Sequence, residues 1–559
     1  MKKLQKNLQK KLTSLLLAIC LLAALCIPAL AAGKKSDQTF HYVTLGASNT
    51  NGYALHGYLT EDLYANPVLK PEDGTPGISG YRTVVPYSYP ALVADYYRNK
   101  GYTVDHAQLA QSAMRVEELR FLLDENFTTD EYMRWRFYAE DKPSTWWYNS
   151  LDDLRKDYKE SIAEADLITY DMGLNNFGVY LTNRLLSGDY GNDLSYVIGS
   201  DYASRFYKIR AELEKGVTSL SLGLVKQEDL DTLDNLLDTI AYALLGYCVN
   251  FDATMKIIRE LNPDATIVVL NVQNIMDSLD VSYKGIPIPL GDIMGIAVNM
   301  ANSYTSLASP YKNEYLYADA IQNGRVTCFM DQLADYNGDP STITQDMKDC
   351  YDVYDTSLPL YLKFRVAARI CVAKGYCPAT WTVNDTEFKK HLPQFVSLCE
   401  KNCPDFYEKV MTAEYDAMTT LFQAGLSTNP VPVDDVLSSG DISKQEDALV
   451  SGIYDVMNQV ADTYLAGGTY TEEQCQAAIN KLLATDDMKA VAAIGVRASI
   501  GNTFFSHPNR QGCQELYDAV IYAIEHGSTG TQVALKEAPN VLVKKPVNTL
   551  LRSLKNLIG

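Results

Sequence analysis

The sequence predicts an α/β protein, a parallel sheet covered by helices on both faces and enlarged by long helical insertions. Three observations predict it. Short apolar runs alternate with segments of helical period through the first half of the chain. Two of those runs, Asp166–Met172 and Ala265–Val272, are largely apolar, as strands buried on both faces should be. A long stretch, about 321–500, then carries helix-spaced apolar residues with no strand-like run.

His41 to Gly46 reads as the first strand. Ser88 to Lys100 reads as a helix, with Ser88 as its cap, Pro90 in its first turn and Gly101 at its end. Thr103 to Leu109 is the second strand, and Asp166 to Met172 the third. Phe251 to Leu261 is helical by period and is stopped by Asn262-Pro263-Asp264. Ala265 to Val272, almost pure Ile, Val and Leu, is the fourth strand. Gly291 to Leu307 is a helix and Glu314 to Ala318 the fifth strand. In the helical region, Leu360–Ala373, Asp405–Leu426, Gln445–Leu465 and Glu472–Leu483 have the helical period, and Asn429 to Asp441 reads as a linker. A smaller helical insertion is expected at about 180–245. The pattern does not fix the order of the strands.

Residues 1–32 read as a cleaved secretory signal, with a lysine-rich start, an apolar Leu15–Ile27 core and Ala29-Leu30-Ala31 at the cleavage site. Export to the extracellular space or cell surface is therefore expected, with no transmembrane helix. The formal charge of −20 disfavours nucleic acid and anionic membrane as partners. Of eleven cysteines, Cys20 and Cys26 fall in the signal. Cys371, Cys377, Cys399 and Cys403 cluster without any Cys-x-x-Cys pair, so zinc is not expected. A disulfide there and four buried thiols are the two alternatives.

Three short segments carry candidate chemistry. Tyr42-Val-Thr-Leu-Gly-Ala-Ser48 ends the first strand in a tight turn, where a serine hydroxyl can act as a nucleophile. Asn175, in Met172-Gly-Leu-Asn-Asn176, stands just past the third strand on the same sheet edge, and its carboxamide can donate to an oxyanion. Its plainer role is turn formation. His507, before Pro508 and an amphipathic helix, is held as a general base would be, in a chain with six histidines.

Together these segments resemble the SGNH hydrolase family (GDSL-type esterases and lipases). Gly46-Ala47-Ser48-Asn49-Thr50-Asn51-Gly52 looks like its first block, Gln111-Ser112-Ala113-Met114-Arg115 its second, Gly173-Leu174-Asn175-Asn176 its third, and His507-Pro508-Asn509 with Gly512 its fifth. The resemblance covers about 42–320 and 501–526. It implies a three-layer α/β/α sandwich with a five-stranded parallel sheet, the flavodoxin-like SGNH fold. It also implies Ser48 as nucleophile, His507 as base, and an oxyanion hole of the Ser48 N–H, the Ala113 N–H and the Asn175 side chain. On that division, 38–320 is the hydrolase core, 321–500 a helical insertion or cap, 501–527 the core segment with His507, and 528–559 a basic amphipathic tail.

The chain departs from the family pattern at four places. Ala47 replaces an Asp, Ala113 a Gly, Asn176 an Asp, and Phe504 stands where the acid that orients the histidine belongs. A Ser–His dyad is the working mechanism, with Asp171 as a substitute acid in the triad alternative.

Weaker signals have plainer roles. Trp146-Trp147-Tyr148, near Trp135 and Tyr138, reads as core or lid packing rather than a sugar platform. Asp335-Tyr-Asn-Gly-Asp339 begins like a calcium loop, but Pro340 replaces the required Gly, and Asp346 the bidentate Glu. No metal or cofactor is expected. Lys544, Lys545, Arg552 and Lys555, interleaved with leucines, could dock the tail to a cell envelope, though packing on this acidic protein is the simpler expectation. The expected function is a secreted serine esterase acting on carbohydrate acetyl, lipid or other acyl esters. The alternative is a surface binding protein that keeps the fold without the catalysis.

Overall fold

The computed structural model describes residues 39–55, 58, 82, 84–112, 114–127, 151–178, 195–220, 227–277, 279–283, 286–320, 324–357, 362–426, 431–432, 442–485 and 506–528. Residues 1–32, read above as a signal, Ala113, Trp135, Tyr138, Trp146-Trp147-Tyr148, Phe504 and residues 529–559 of the tail lie outside the described residues.

Five parallel strands build the main sheet: β1 (Thr39–Gly46), β2 (Thr103–Gln108), β3 (Leu167–Asp171), β4 (Thr266–Leu270) and β7 (Leu316–Ala318). Their order is β2-β1-β3-β4-β7, and each neighbouring pair is parallel. All five match an expected strand to within a few residues.

The apolar runs become buried on both sides because successive residues point to opposite faces. In β4, Ile267 and Val269 enter one buried cluster, while Val268 and Leu270 enter the other. In β3, Ile168 and Tyr170 face the first cluster and Leu167 the second. The first face is covered by α3 (Val116–Leu123), α4 (Leu151–Glu164), α6 (Gln227–Leu261) and α7 (Leu290–Ser303). The second is covered by α2 (Tyr89–Asn99) and α16 (Arg510–His526). Ser88 precedes α2 in extended conformation and Pro90 sits in its first turn, as expected, but the Ser88 hydroxyl donates to Val85 O at 2.7 Å and makes no capping bond to the helix.

The helix expected at Phe251–Leu261 is the last third of the much longer α6. Leu244, Tyr247, Phe251, Met255 and Ile258 keep one apolar face buried past the expected boundary at 245. With α5 (Ser195–Leu220), which packs along it, α6 forms the smaller helical insertion.

The region after β7 is helical: α8 (Phe329–Ala334), α9 (Gln345–Ser357), α10 (Leu362–Ala373), α11 (Asp385–Lys390), α12 (Leu392–Asn402), α13 (Pro404–Leu426), α14 (Ile442–Leu465) and α15 (Glu472–Leu483). Phe329, Ile370, Phe395, Phe422 and Ile453 of these helices share the apolar cluster of the second sheet face. The helical region therefore continues the core rather than building a detached one.

Within the expected linker, Val431–Pro432 forms a strand, β8, parallel to β5 (Val281–Tyr283), which pairs in turn with β6 (Ile286–Ile288). Three such short strands lack the length that period-2 reading needs. The nine described cysteines carry free, buried thiols. Cys371 on α10 and Cys399 on α12 lie with their sulfurs 3.6 Å apart, and donate to Phe395 O and Ala367 O respectively. Asp339, in the calcium-like segment, instead accepts the Ser341 N–H, and Asp346 pairs with Arg510. Among the described residues no cluster of three or more metal-ligating side chains occurs, and no helix is long and apolar enough to cross a membrane.

Candidate active site

Parallel strands send all their following loops off one edge, and the candidate residues of β1 and β3 leave from that edge. β1 runs directly into a one-turn helix, α1 (Ser48–Asn51), with Ser48 as its first residue. The turn is tight enough to require Gly46: a Cβ there would sit 1.9 Å from Thr50 Oγ1. Gly52 closes α1 at φ +74, where a Cβ would also press on Ser88 and Val85.

The turn is tied to its neighbours on both sides. Thr50 Oγ1 donates to Asp171 Oδ2 at 3.0 Å, and Asn51 Nδ2 donates to Ser112 Oγ at 3.0 Å. Tyr58 OH is 3.1 Å from the same Ser112 oxygen. Burial pushes the Asp171 carboxyl up to about 6, partly offset by the Thr50 hydrogen bond. Asp171 thus serves the strand end and the Ser48 turn.

Asn175 follows β3 through Gly173, whose φ of +123 and close approach to Tyr247 and Val272 exclude a side chain. Asn175 is 6% exposed, and its Nδ2 donates to Met114 O at 3.1 Å. A carboxamide nitrogen carries two hydrogens, so this bond uses one. Beside it, Asn176 Oδ1 accepts the Val116 N–H at 3.1 Å, and its Nδ2 donates to Glu117 Oε2 at 2.6 Å. The segment after β2 and the segment after β3 are therefore cross-bonded.

His507 arrives from the far end of the chain and is lashed to residues 327–329. Pro508 bridges Cys328 in antiparallel fashion. The Phe329 N–H donates to His507 O, and the Asn509 N–H to Thr327 O, each at 3.3 Å. Asn509 then caps α16 through the Gly512 N–H at 3.0 Å. Gly512 has no room for a side chain, since a Cβ would stand 2.0 Å from Thr327 O. Thr327 donates its N–H and its hydroxyl to Glu515, at 3.0 and 2.7 Å.

Ser48 and His507 are 6% and 3% exposed. Tyr53 links them: its N–H donates to Ser48 O at 3.0 Å, and its ring lies against the imidazole with centroids 4.6 Å apart. The His507 ring thus packs against a residue of the segment that follows the Ser48 turn.

No family model matches the chain, and no curated protein does. An extracellular lipase from Streptomyces rimosus, a solved structure, is similar over 51% of this chain and 80% of its own, at 16% identity and a TM-score of 0.26. So low a score carries no argument about chemistry.

Tyr53, Glu117 and Thr327 are functional candidates that sequence reasoning missed. Tyr53 and Thr327 carry no motif of their own. Glu117 had one available signal, an acidic pair (Glu117-Glu118) at the start of a helix whose other residues, Arg120 apart, are apolar.

Proposed function

We propose that the protein is a secreted serine esterase of the SGNH type, hydrolysing carboxylic esters through an acyl-enzyme. The observation that supports this most is the Tyr53 contact, which joins the Ser48 turn to the His507 ring. Asn175 on the same sheet edge supports it further, as does the strand order β2-β1-β3-β4-β7, the doubly wound order in which ligands sit beyond the strand ends.

In this mechanism His507 takes the Ser48 proton as Oγ attacks the ester carbonyl. The Ser48 and Ala113 N–H groups and the Asn175 carboxamide stabilise the oxyanion. His507 then protonates the leaving alcohol, and water activated by the same base releases the acid. With Asp171 committed to Thr50, a Ser–His dyad is the simpler form. The helical region 321–500 acts as a cap over one side of the core, and residues 1–32 direct export.

Fluorophosphonate labelling tests the reading. The wild-type protein should be labelled at one site, and Ser48→Ala and His507→Ala should not be. A folded wild-type protein that stays unlabelled and turns over no ester in a panel of acetyl, medium-chain and long-chain esters would instead indicate a binding protein that keeps the fold without catalysis.

A further inference from the structure

Glu117 is an unusual residue to find where it is. It sits in the first turn of α3, fully buried, as are Glu118 and Asn176, with Arg115 1% exposed. Arg115 is engaged by Glu118, whose carboxylate takes the guanidinium and the Arg115 N–H. Glu117 is left facing Asn176. Its Oε2 accepts from Asn176 Nδ2 at 2.6 Å, and its Oε1 has no hydrogen-bond partner among the described residues. A buried carboxylate with one satisfied oxygen is costly and needs a reason to persist.

The geometry points to a positioning role: we infer that Glu117 holds the Asn175 carboxamide in place by clamping Asn176, its chain neighbour. This inference rests on the hydrolytic reading above and adds a residue to it. Asn176 is gripped at both ends of its side chain, by the Val116 N–H and by Glu117. Asn175 is in turn bonded to Met114 O, two residues before that N–H. Both carboxamides are therefore fixed to the start of α3, and the free hydrogen of Asn175 can point only one way. Where the resembled family has an acid at the position of Asn176, this chain has an amide facing an acid. Donor and acceptor are both present, with the carboxylate moved to α3.

The groups facing Glu117 are few. Arg115 draws its carboxyl toward ionisation, Glu118 opposes that, and the Tyr170 hydroxyl of β3 also senses the Glu117 charge. Burial dominates and pushes the Glu117 carboxyl up to about 7. In either protonation state Oε2 can accept from Asn176, so the clamp does not require the charge.

The test is the kinetics of fluorophosphonate inactivation, resolved into the saturating rate and the concentration for half-saturation, with thermal midpoints measured alongside. Glu117→Ala should lower the saturating rate by about 10–100-fold, less than loss of an oxyanion donor outright, with the half-saturating concentration little changed. Glu117→Gln keeps an acceptor and should stay within about threefold of wild type. Asn176→Asp sets two carboxyl groups face to face and should lose rate, whereas Asn176→Asp with Glu117→Gln restores an amide–carboxylate pair and should recover most of it. The rescue distinguishes positioning from mere bulk, and holds its meaning if Glu117→Ala fails to fold. An unchanged rate in Asn176→Asp, or no recovery in the swapped pair, overturns the inference while leaving the hydrolytic reading intact. An unlabelled wild type overturns both.

Discussion

The two halves of the candidate site are held by different means. The Ser48 and Asn175 side is wired within the sheet edge by short side-chain hydrogen bonds: Thr50 to Asp171, Asn51 to Ser112, Asn175 to Met114, Asn176 to Glu117. The His507 side is held by backbone pairing to 327–329 and by the start of α16. Arg510 at that start pairs with Asp346 of α9 and lies over the Tyr87 ring. The side of the proposed nucleophile is thus a product of the α/β core, and the side of the proposed base is a product of the core together with the helical region. Changes in the helical region should reach catalysis through the histidine alone.

The largest effect that sharpens the contrast is on the nucleophile side. Asn175→Ala should lower kcat by about 10²–10³ with KM nearly unchanged, measured on the best ester found. A change confined to KM would break the assignment of Asn175 as an oxyanion donor.

On the base side, Gly512→Ala should drive a methyl into Thr327 O and displace the Asn509 cap, costing roughly 2–4 kcal/mol of stability with a loss of activity. Gly375→Ala, at φ +71 with open space around it, is the control and should cost only about 1 kcal/mol. Equal midpoints for the two variants would mean that the contact at Gly512 does not hold His507.

A pH series separates the sides again. Glu117 has its folded pKa raised from 4.5 to about 7, because burial disfavours the charge. The unfolded chain loses that proton first, so stability from this group is present below about 4.5 and is lost as pH rises through 7. Denaturant midpoints of Glu117→Gln should lack that fall, worth up to about 3 kcal/mol. The smallest effect belongs to Arg510→Gln, whose part-exposed guanidinium pairs with the largely buried Asp346 and, more loosely at 3.6 Å, with the buried Asp349, and should contribute about 1–2 kcal/mol. A few-fold loss of kcat with no larger stability change would then locate the helical region's influence at His507.

How far the sequence could be read follows from the same physics. The central strands were legible because they are buried on both faces and so read as apolar runs, Thr266–Leu270 most clearly. The edge strand Thr103–Gln108, exposed at Thr103 and Asp105, carries a weaker pattern. The long helices were legible by period, Glu472–Leu483 to the residue. Strand order was not, since nothing in Thr103–Gln108 says that it flanks β1 rather than β3. The β5–β8 pairing joins residues about 150 positions apart through strands of two or three residues, too short to carry a period. Ser48, Asn175 and His507 announced themselves through turns and caps. Tyr53 and Glu117 did not, because their importance lies in contacts across the fold, with His507 and with Asn176.

The central claim is that Ser48 and His507 form one reactive unit, and a crystal structure of the fluorophosphonate-treated protein tests it most directly. The account predicts phosphorus bonded to Ser48 Oγ, a phosphoryl oxygen within hydrogen-bond distance of Asn175 Nδ2, and the His507 imidazole within about 2.6–3.2 Å of the ester oxygens or one water away. Phosphorus on another residue, or an imidazole turned away with no water between it and the adduct, would contradict it.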